Sequence, residues 1–149
     1  MTTEAAGALQ DGVHVFPVRV YFEDTDAGGI VYYANYLCFA ERARSEMLRH
    51  LSIESGRMVD DLSLASAVKR CSMDFVKPEK LDDLLTVETR LCGVGGASLV
   101  VDQRVLRDAK DLVRMELKLA CMSLEGRPAR LPADIRQRLE DFKNTGQAK

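Results

Sequence analysis

Two carboxylates, Asp24 and Asp26, stand two residues apart, followed by Gly28 and Gly29 and then by Ile30-Val31-Tyr32-Tyr33-Ala34-Asn35-Tyr36. The run passes from strand-like alternation, through a glycine turn, into an amphipathic helix pattern. A carboxylate just ahead of a helix start brings two electrostatic tools together. The acid can serve as base or nucleophile, and the free N–H groups of the first helical turn can hold an oxyanion. That pairing suits acyl transfer, thioester hydrolysis in particular.

Asp26 can attack a thioester carbonyl directly, giving an anhydride, or activate a water. The residues alone do not choose between these. They also fit a plainer role, in which Asp26 caps the turn that follows. Asp24 shares the strand parity of Asp26 and is expected to make structural hydrogen bonds. Gly28 and Gly29 let the backbone bend and approach a ligand without a Cβ. Asn35 fits a helix cap. Ser98 follows the glycine turn Gly93-Val94-Gly95-Gly96. Lys69, Arg70, Arg127 and Arg130 can meet phosphates, although a solvated surface accounts for any one of them.

Composition narrows the field. The chain has 149 residues, of which 46% are hydrophobic and 30% charged, which fits one folded domain with a true core. The net charge of -2 gives no global positive field, so nucleic acid is not the expected partner. No apolar run reaches membrane-spanning length, and residues 1–12 lack the pattern of a signal peptide. The four cysteines, Cys38, Cys71, Cys92 and Cys121, form no C-x-x-C pair and have two histidines for company. No metal site is expected; buried free thiols and a cytoplasmic location are. His14 and His50 lie far apart in sequence and away from any nucleophile motif. There is no G-x-S-x-G, no phosphate loop and no H-E-x-x-H.

The elements that must position these residues follow from periodicity. A half-buried strand is expected at Val18–Phe22. Tyr36, Ala40, Ala43, Met47 and Leu51 form the apolar stripe of a helix over Tyr33–Leu51. The charges Glu41, Arg42, Arg44, Glu46 and Arg49 read as its solvated face. A polar loop at Ser52–Leu62 precedes a strand at Ala65–Val76, with Val68, Arg70, Ser72 and Asp74 on one face. Further strands are expected at Leu85–Leu91, Ser98–Leu106 and Val113–Cys121, with a hairpin turn at Arg107–Asp111. A terminal helix carries Ile135, Leu139 and Phe142. Residues 1–12 and 144–149 read as flexible tails around one domain at 13–143. One helix followed by four meandering strands implies an α+β fold, an antiparallel sheet wrapped on a long helix. An uncovered edge strand would favour self-association.

Arg19 to Tyr36, with the run Glu23-Asp24-Thr25-Asp26-Ala27-Gly28-Gly29 intact, resembles the signature of the 4-hydroxybenzoyl-CoA thioesterase family. It is similar in particular to the Tol–Pal-associated, YbgC-type acyl-CoA thioesterases. Further likeness lies in Glu41-Arg42-Ala43-Arg44, Glu46-Met47-Leu48-Arg49, Leu81-Asp82-Asp83-Leu84, Ala97-Ser98-Leu99-Val100 and Arg127-Pro128-Ala129-Arg130-Leu131-Pro132, in the family's order from Val15 to Phe142. The resemblance implies the hotdog fold. It implies Asp26 as catalytic carboxylate and the Tyr33 backbone N–H as the carbonyl-polarising donor. One position departs, since the branch carries histidine where this chain has Tyr33. A backbone N–H survives that change; a role for imidazole does not.

The resemblance further implies substrate contacts at Gly28, Gly29, Ile30, Asn35, Lys69, Gly96 and Ser98, the last two near a coenzyme A pyrophosphate. Acyl-CoA is then the substrate, with no other cofactor. The expected assembly is a homodimer or homotetramer with the site across an interface, and an acyl carrier protein is a further partner. Two other readings stay open. A hotdog dehydratase or hydratase would need a histidine in the site segment, which is absent. A carrier-protein-binding or membrane-complex-associated protein with little catalysis would not need Asp26.

Overall fold

The computed structural model describes residues 7–78 and 82–147, so Leu81 of the fourth resemblance motif lies outside the described residues. The strands are β1 (Ala8–Gln10), β2 (Val13–Arg19), β3 (Leu64–Phe75), β4 (Leu84–Val94), β5 (Ser98–Arg107) and β6 (Lys110–Ser123). The helices are α1 (Asn35–His50), α2 (Ser55–Leu62) and α3 (Ala133–Gln147). The strands form one antiparallel sheet in the order β1-β2-β4-β5-β6-β3. This is the α+β arrangement expected, but β3 is not the first strand of a meander. It pairs with β6 and forms the far edge.

The core lies between the sheet and α1. Tyr36, Phe39, Ala40, Ala43 and Met47 of the helix are buried against Val87, Val101, Val105, Met115 and Leu117. Small residues at 40 and 43 let the helix axis approach the sheet, and Phe39 fills the space beside them. One polar contact runs through this layer. Gln103 is fully buried; its Nε2 donates to the Ala40 carbonyl at 2.9 Å and to Thr89 Oγ1 at 3.0 Å. Its Oε1 accepts from Arg44 Nη1 at 2.9 Å. Arg44 is therefore not on a solvated face, as its charge alone suggested.

Other boundaries differ for local reasons. The first strand of the core starts at Val13 and ends at Arg19, and Phe22–Asp24 is a single 3-10 turn. The side chain of Asp24 takes the Tyr21 N–H, turning the chain out of extended geometry. Ser52–Leu62 is not all loop, because α2 occupies its second half. Ala8–Gln10, expected within a tail, pairs with β2, and α3 runs to Gln147. In β3 a bulge at Lys69 separates Val68, opposite Leu119, from Arg70, opposite Lys118. Paired residues share a face, so Val68 joins Cys71, Met73 and Phe75 on the helix side, not Arg70. Of the cysteines, Cys121 is buried, Cys71 half-buried, and Cys38 and Cys92 exposed, so the expectation of four buried thiols holds for Cys121 alone.

The β5–β6 hairpin closes with Asp108 (φ 51°) and Ala109 (φ 64°), both left-handed. This is the two-residue loop that suits strand twist, but it prefers glycine at its second position. Ala109→Gly is expected to raise unfolding free energy by about 0.5–1 kcal/mol, the usual cost of a left-handed Cβ less the entropy of glycine. A urea midpoint that stays still or falls would contradict it.

Candidate functional site

The segment before α1 is folded around Asp24. Asp24 Oδ2 accepts the Tyr21 N–H at 2.8 Å. Its carbonyl accepts both the Tyr32 N–H at 2.8 Å and Asn35 Nδ2 at 2.9 Å. Three bonds therefore tie the start of the 3-10 turn, the far side of the loop and the first residue of α1 to one buried residue. The expected structural role of Asp24 is realised. Asn35, expected to touch substrate, spends its amide N–H on this carbonyl.

Inside that clamp lies a tight loop. Asp26 N donates to the Ile30 carbonyl at 2.9 Å, and Gly29 N donates to the Asp26 carbonyl at 3.0 Å. Asp26 Oδ1 accepts the Gly28 N–H at 2.8 Å, so its side chain does cap the turn. Gly29 has φ +79° with open space where a Cβ would stand, so backbone conformation, not crowding, asks for glycine there. Ile30 sits at the neck of the loop, and Val31 behind it is buried.

Asp26 itself is exposed and lines neither the cavity beside Arg44 and Ser98 nor the one beside His50 and Phe142. Its second oxygen accepts no hydrogen bond among the described residues and faces outward. At the helix start, the Asn35 N–H is taken by the Tyr32 carbonyl at 2.8 Å. Among the described residues the amides of Tyr33 and Ala34 donate to no backbone carbonyl. Loop carboxylate and helix-start amides thus occupy one end of α1. Large apolar side chains surround that end: Phe22 is 81% exposed, Tyr33 62% and Phe75 51%. The Tyr33 ring packs edge-on against Phe75 at 6.2 Å, which joins the helix start to the end of β3.

The other expected site residues fall elsewhere. Ser98 lines a cavity of about 470 Å³ beside Arg44, Ser45 and Leu48 of α1. Gly96 lies next to it, with its carbonyl taken by Leu131 N at 2.7 Å and the Arg130 guanidinium over its Cα. Nine to thirteen residues of α1 separate this end from Asn35, on the order of 15 Å at the helical rise. Lys69 is exposed at the bulge of the β3 edge. Within one chain, Asp26, Gly28, Gly29, Ile30, Tyr33 and Asn35 come together, whereas Lys69, Gly96 and Ser98 do not join them.

Two features escaped the sequence. His14 and His50, far apart along the chain, meet with Nε2 and Nδ1 3.1 Å apart, because the end of α1 packs beside the start of β2. They lie at the opposite end of α1 from Asp26. The other is Arg44, whose guanidinium burial pushes below its usual range, against an opposing pull from Glu41 and Cys71. A glutamine in an otherwise alternating apolar strand was the available signal. No group of three or more His, Cys, Asp or Glu gathers as a metal site among the described residues. No helix among them is long and apolar enough to cross a membrane.

Comparison with known proteins bears on this geometry. Residues 20–139 match the thioesterase-like superfamily. A Haemophilus influenzae protein named acyl-CoA thioesterase YbgC is 43% identical over 136 residues, covering 91% of this chain and all of that protein. An Escherichia coli protein named acyl-CoA thioester hydrolase YbgC is 39% identical over 122 residues, 80% of this chain and 90% of its own length. The crystal structure of a probable thioesterase from Bartonella henselae superposes with a TM-score of 0.78 at 36% identity, covering 80% of this chain and 99% of that one. The chain is a hotdog-fold member of the thioesterase-like superfamily and belongs there with the YbgC acyl-CoA thioesterases.

Proposed function

We propose that this chain is an acyl-CoA thioesterase, cleaving an acyl-CoA with water to a carboxylic acid and coenzyme A. The observation that carries the reading is that the Asp26 loop leads directly into a helix start at which, among the described residues, the Tyr33 and Ala34 amides donate to no backbone carbonyl. The relatives' names support the substrate class. In this reading the thioester carbonyl oxygen points at the amides and its carbon at Asp26. Charge that develops on the oxygen is met by N–H dipoles already in place, worth about 3–4 kcal/mol of barrier per donor in comparable sites. The free oxygen of Asp26 attacks the carbon, thiolate leaves and water then cleaves the mixed anhydride to regenerate Asp26 and free the acid; or Asp26 takes a proton from a water that attacks the carbon as thiolate leaves. Gly28 and Ile30 border the approach, and the tyrosine side chain at 33 is not required.

The reading also needs a second copy of the chain. One chain leaves Asp26 exposed, and Tyr21, Phe22, Tyr33, Phe75, Val76 and Leu84 are each more than half exposed as well. β3 offers twelve residues of open edge. Two such edges paired antiparallel about a two-fold axis lay the Phe75 end of one copy against the Leu64 end of the other. The helix start of each copy then faces the Ser98 end of its partner, which would reunite the two groups of site residues.

Asp24 and Asp26 are expected to separate on mutation. Asp24→Ala removes a charged acceptor from a buried position and should cost about 1.5–3 kcal/mol of stability. Asp26→Asn keeps the turn-capping oxygen, so stability should move by less than about 0.5 kcal/mol. Its turnover of acyl-CoA thioesters should fall at least ~10²-fold. Full activity in Asp26→Asn sinks the assignment, and no activity in the wild-type chain favours a carrier-protein-binding role. Sedimentation should show a dimer or larger; an active monomer would overturn the shared site.

A further inference from the structure

The face of the sheet turned away from α1 carries its charges in rows, and two of those rows hold like charges side by side. Across β5 and β6, Asp102 lies directly opposite Glu116. In the next row, Lys118 of β6 lies directly opposite Arg70 of β3. Like charges facing each other on neighbouring strands repel. Among the described residues none of these four is in an ion pair. The arginines around them do find acids: Arg90 pairs with Glu88, and Arg104 and Arg114 both pair with Asp111. Glu116 and Lys118 are two residues apart on β6, both exposed, and point to the same side. An acidic row therefore runs beside a basic row, about 7 Å away along the strands.

Such a pattern is complementary to itself under a two-fold rotation. Take an axis between two stacked sheets, running across the strands midway between Glu116 and Lys118. It reverses the strand direction and keeps each strand over its own copy, within the roughly 30° at which stacked sheets cross. Glu116 then faces the partner's Lys118, and Lys118 faces the partner's Glu116. The same rotation lays the row of Asp74, Arg114 and Arg104 over the row of Ala67, Ala120 and Ser98. Long side chains meet short ones, which suits the spacing of about 10 Å between packed sheets. We propose that the outward face of β3, β5 and β6 docks on the same face of a second copy of this chain, through reciprocal Glu116–Lys118 ion pairs about a two-fold axis. A foreign partner needs the reversed charge pattern at the same spacing, whereas a second copy has it by symmetry. The contact uses the face of the sheet and not the β3 edge, so both contacts together build a four-chain assembly. The core-facing stripe of α1 packs on the opposite side of the sheet, so stacking covers neither that helix nor its start. The inference holds whether or not the chain hydrolyses thioesters.

The test is sedimentation velocity on the full chain and three variants. Glu116→Lys sets like charges across the axis and should halve the mass of the assembly. Lys118→Glu should do the same. The double variant restores opposite charges with their signs exchanged and should recover the wild-type mass. Misfolding does not account for the expected loss, because Glu116→Lys puts a lysine opposite Asp102 and relieves the repulsion within one sheet. Far-UV circular dichroism of that variant should match the wild type. A mass unmoved in one or both single variants overturns the proposal, whether a foreign protein or solvent ions meet these charges. So does a double variant that stays dissociated. A wild-type assembly that persists in Glu116→Lys removes this contact and leaves pairing through the β3 edge standing.

Discussion

The carbonyl and carboxylate of Asp24 hold the functional end of this molecule together. A loop of this kind carries several backbone groups with no strand or helix to bond, and each must find a partner if it is buried. Asp24 meets two of them, the Tyr21 and Tyr32 N–H groups, and also accepts the side-chain amide of Asn35. The consequence is geometric. The bond to Asn35 fixes where α1 begins, and the bond to Tyr32 fixes where the loop closes. Asp26 is thereby held at a set distance from the first helical amides, because the chain between them has no freedom left except in the glycine turn. Replacing the Asp24 side chain would release the Tyr21 N–H and leave the two bonds to the backbone carbonyl.

A second constraint fixes the other half of α1. Apolar packing alone lets a helix slide or roll on a sheet, since hydrophobic contact has no direction. Gln103 supplies direction. Its amide reaches the Ala40 carbonyl on the helix and Thr89 on the neighbouring strand, so helix, β4 and β5 are indexed to one another. The same residue accepts from Arg44, which brings a cation into the layer between helix and sheet. Burying these groups costs desolvation, offset only because each bond is made. Arg44 also lines the cavity that α1 shares with Met58 and Val59 of α2 and with Ile135 and Leu139 of α3.

Periodicity made much of this architecture legible. Val113 to Cys121 alternates cleanly because one face meets the core and the other meets water, and it is a strand in the structure. Tyr36, Ala40, Ala43 and Met47 mark the buried helix stripe for the same reason. What failed to show was whatever depends on contacts distant in sequence. The bulge at Lys69 moves Val68 to the other face, and alternation read along one strand cannot reveal an unpaired residue in its ladder. The pairing of β3 with β6 rather than β4 is a choice between edges that no local pattern encodes. Arg44 looked like a surface charge because its partner, Gln103, is 59 residues away. The candidate site was legible at Asp26, Gly28 and Gly29, where local turn chemistry and resemblance agreed. The bond from the Asn35 side-chain amide to the Asp24 carbonyl was not legible, nor was the separation of Asp26 from Ser98, because both depend on how the loop and the sheet fold back.

Asp24 and Asp26 show how two identical side chains two residues apart are given different work. Asp24 is buried and bonded to backbone, so its charge is consumed by structure. Asp26 makes one bond, to Gly28, and keeps an oxygen free in water. Water is a poor medium for the proposed chemistry, because it weakens the pull of amide dipoles on developing charge. The segments at this end of α1 carry an exposed apolar rim, Tyr21, Phe22, Tyr33 and Phe75, that water alone does not explain. Covering the rim with a second copy would lower the local dielectric where the amides point and leave the acid open only along a groove. On the proposed reading, association is then part of catalysis. On that reading, the apolar surface that would draw two chains together is the surface whose burial would strengthen the pull of a carboxylate and two N–H groups on a thioester.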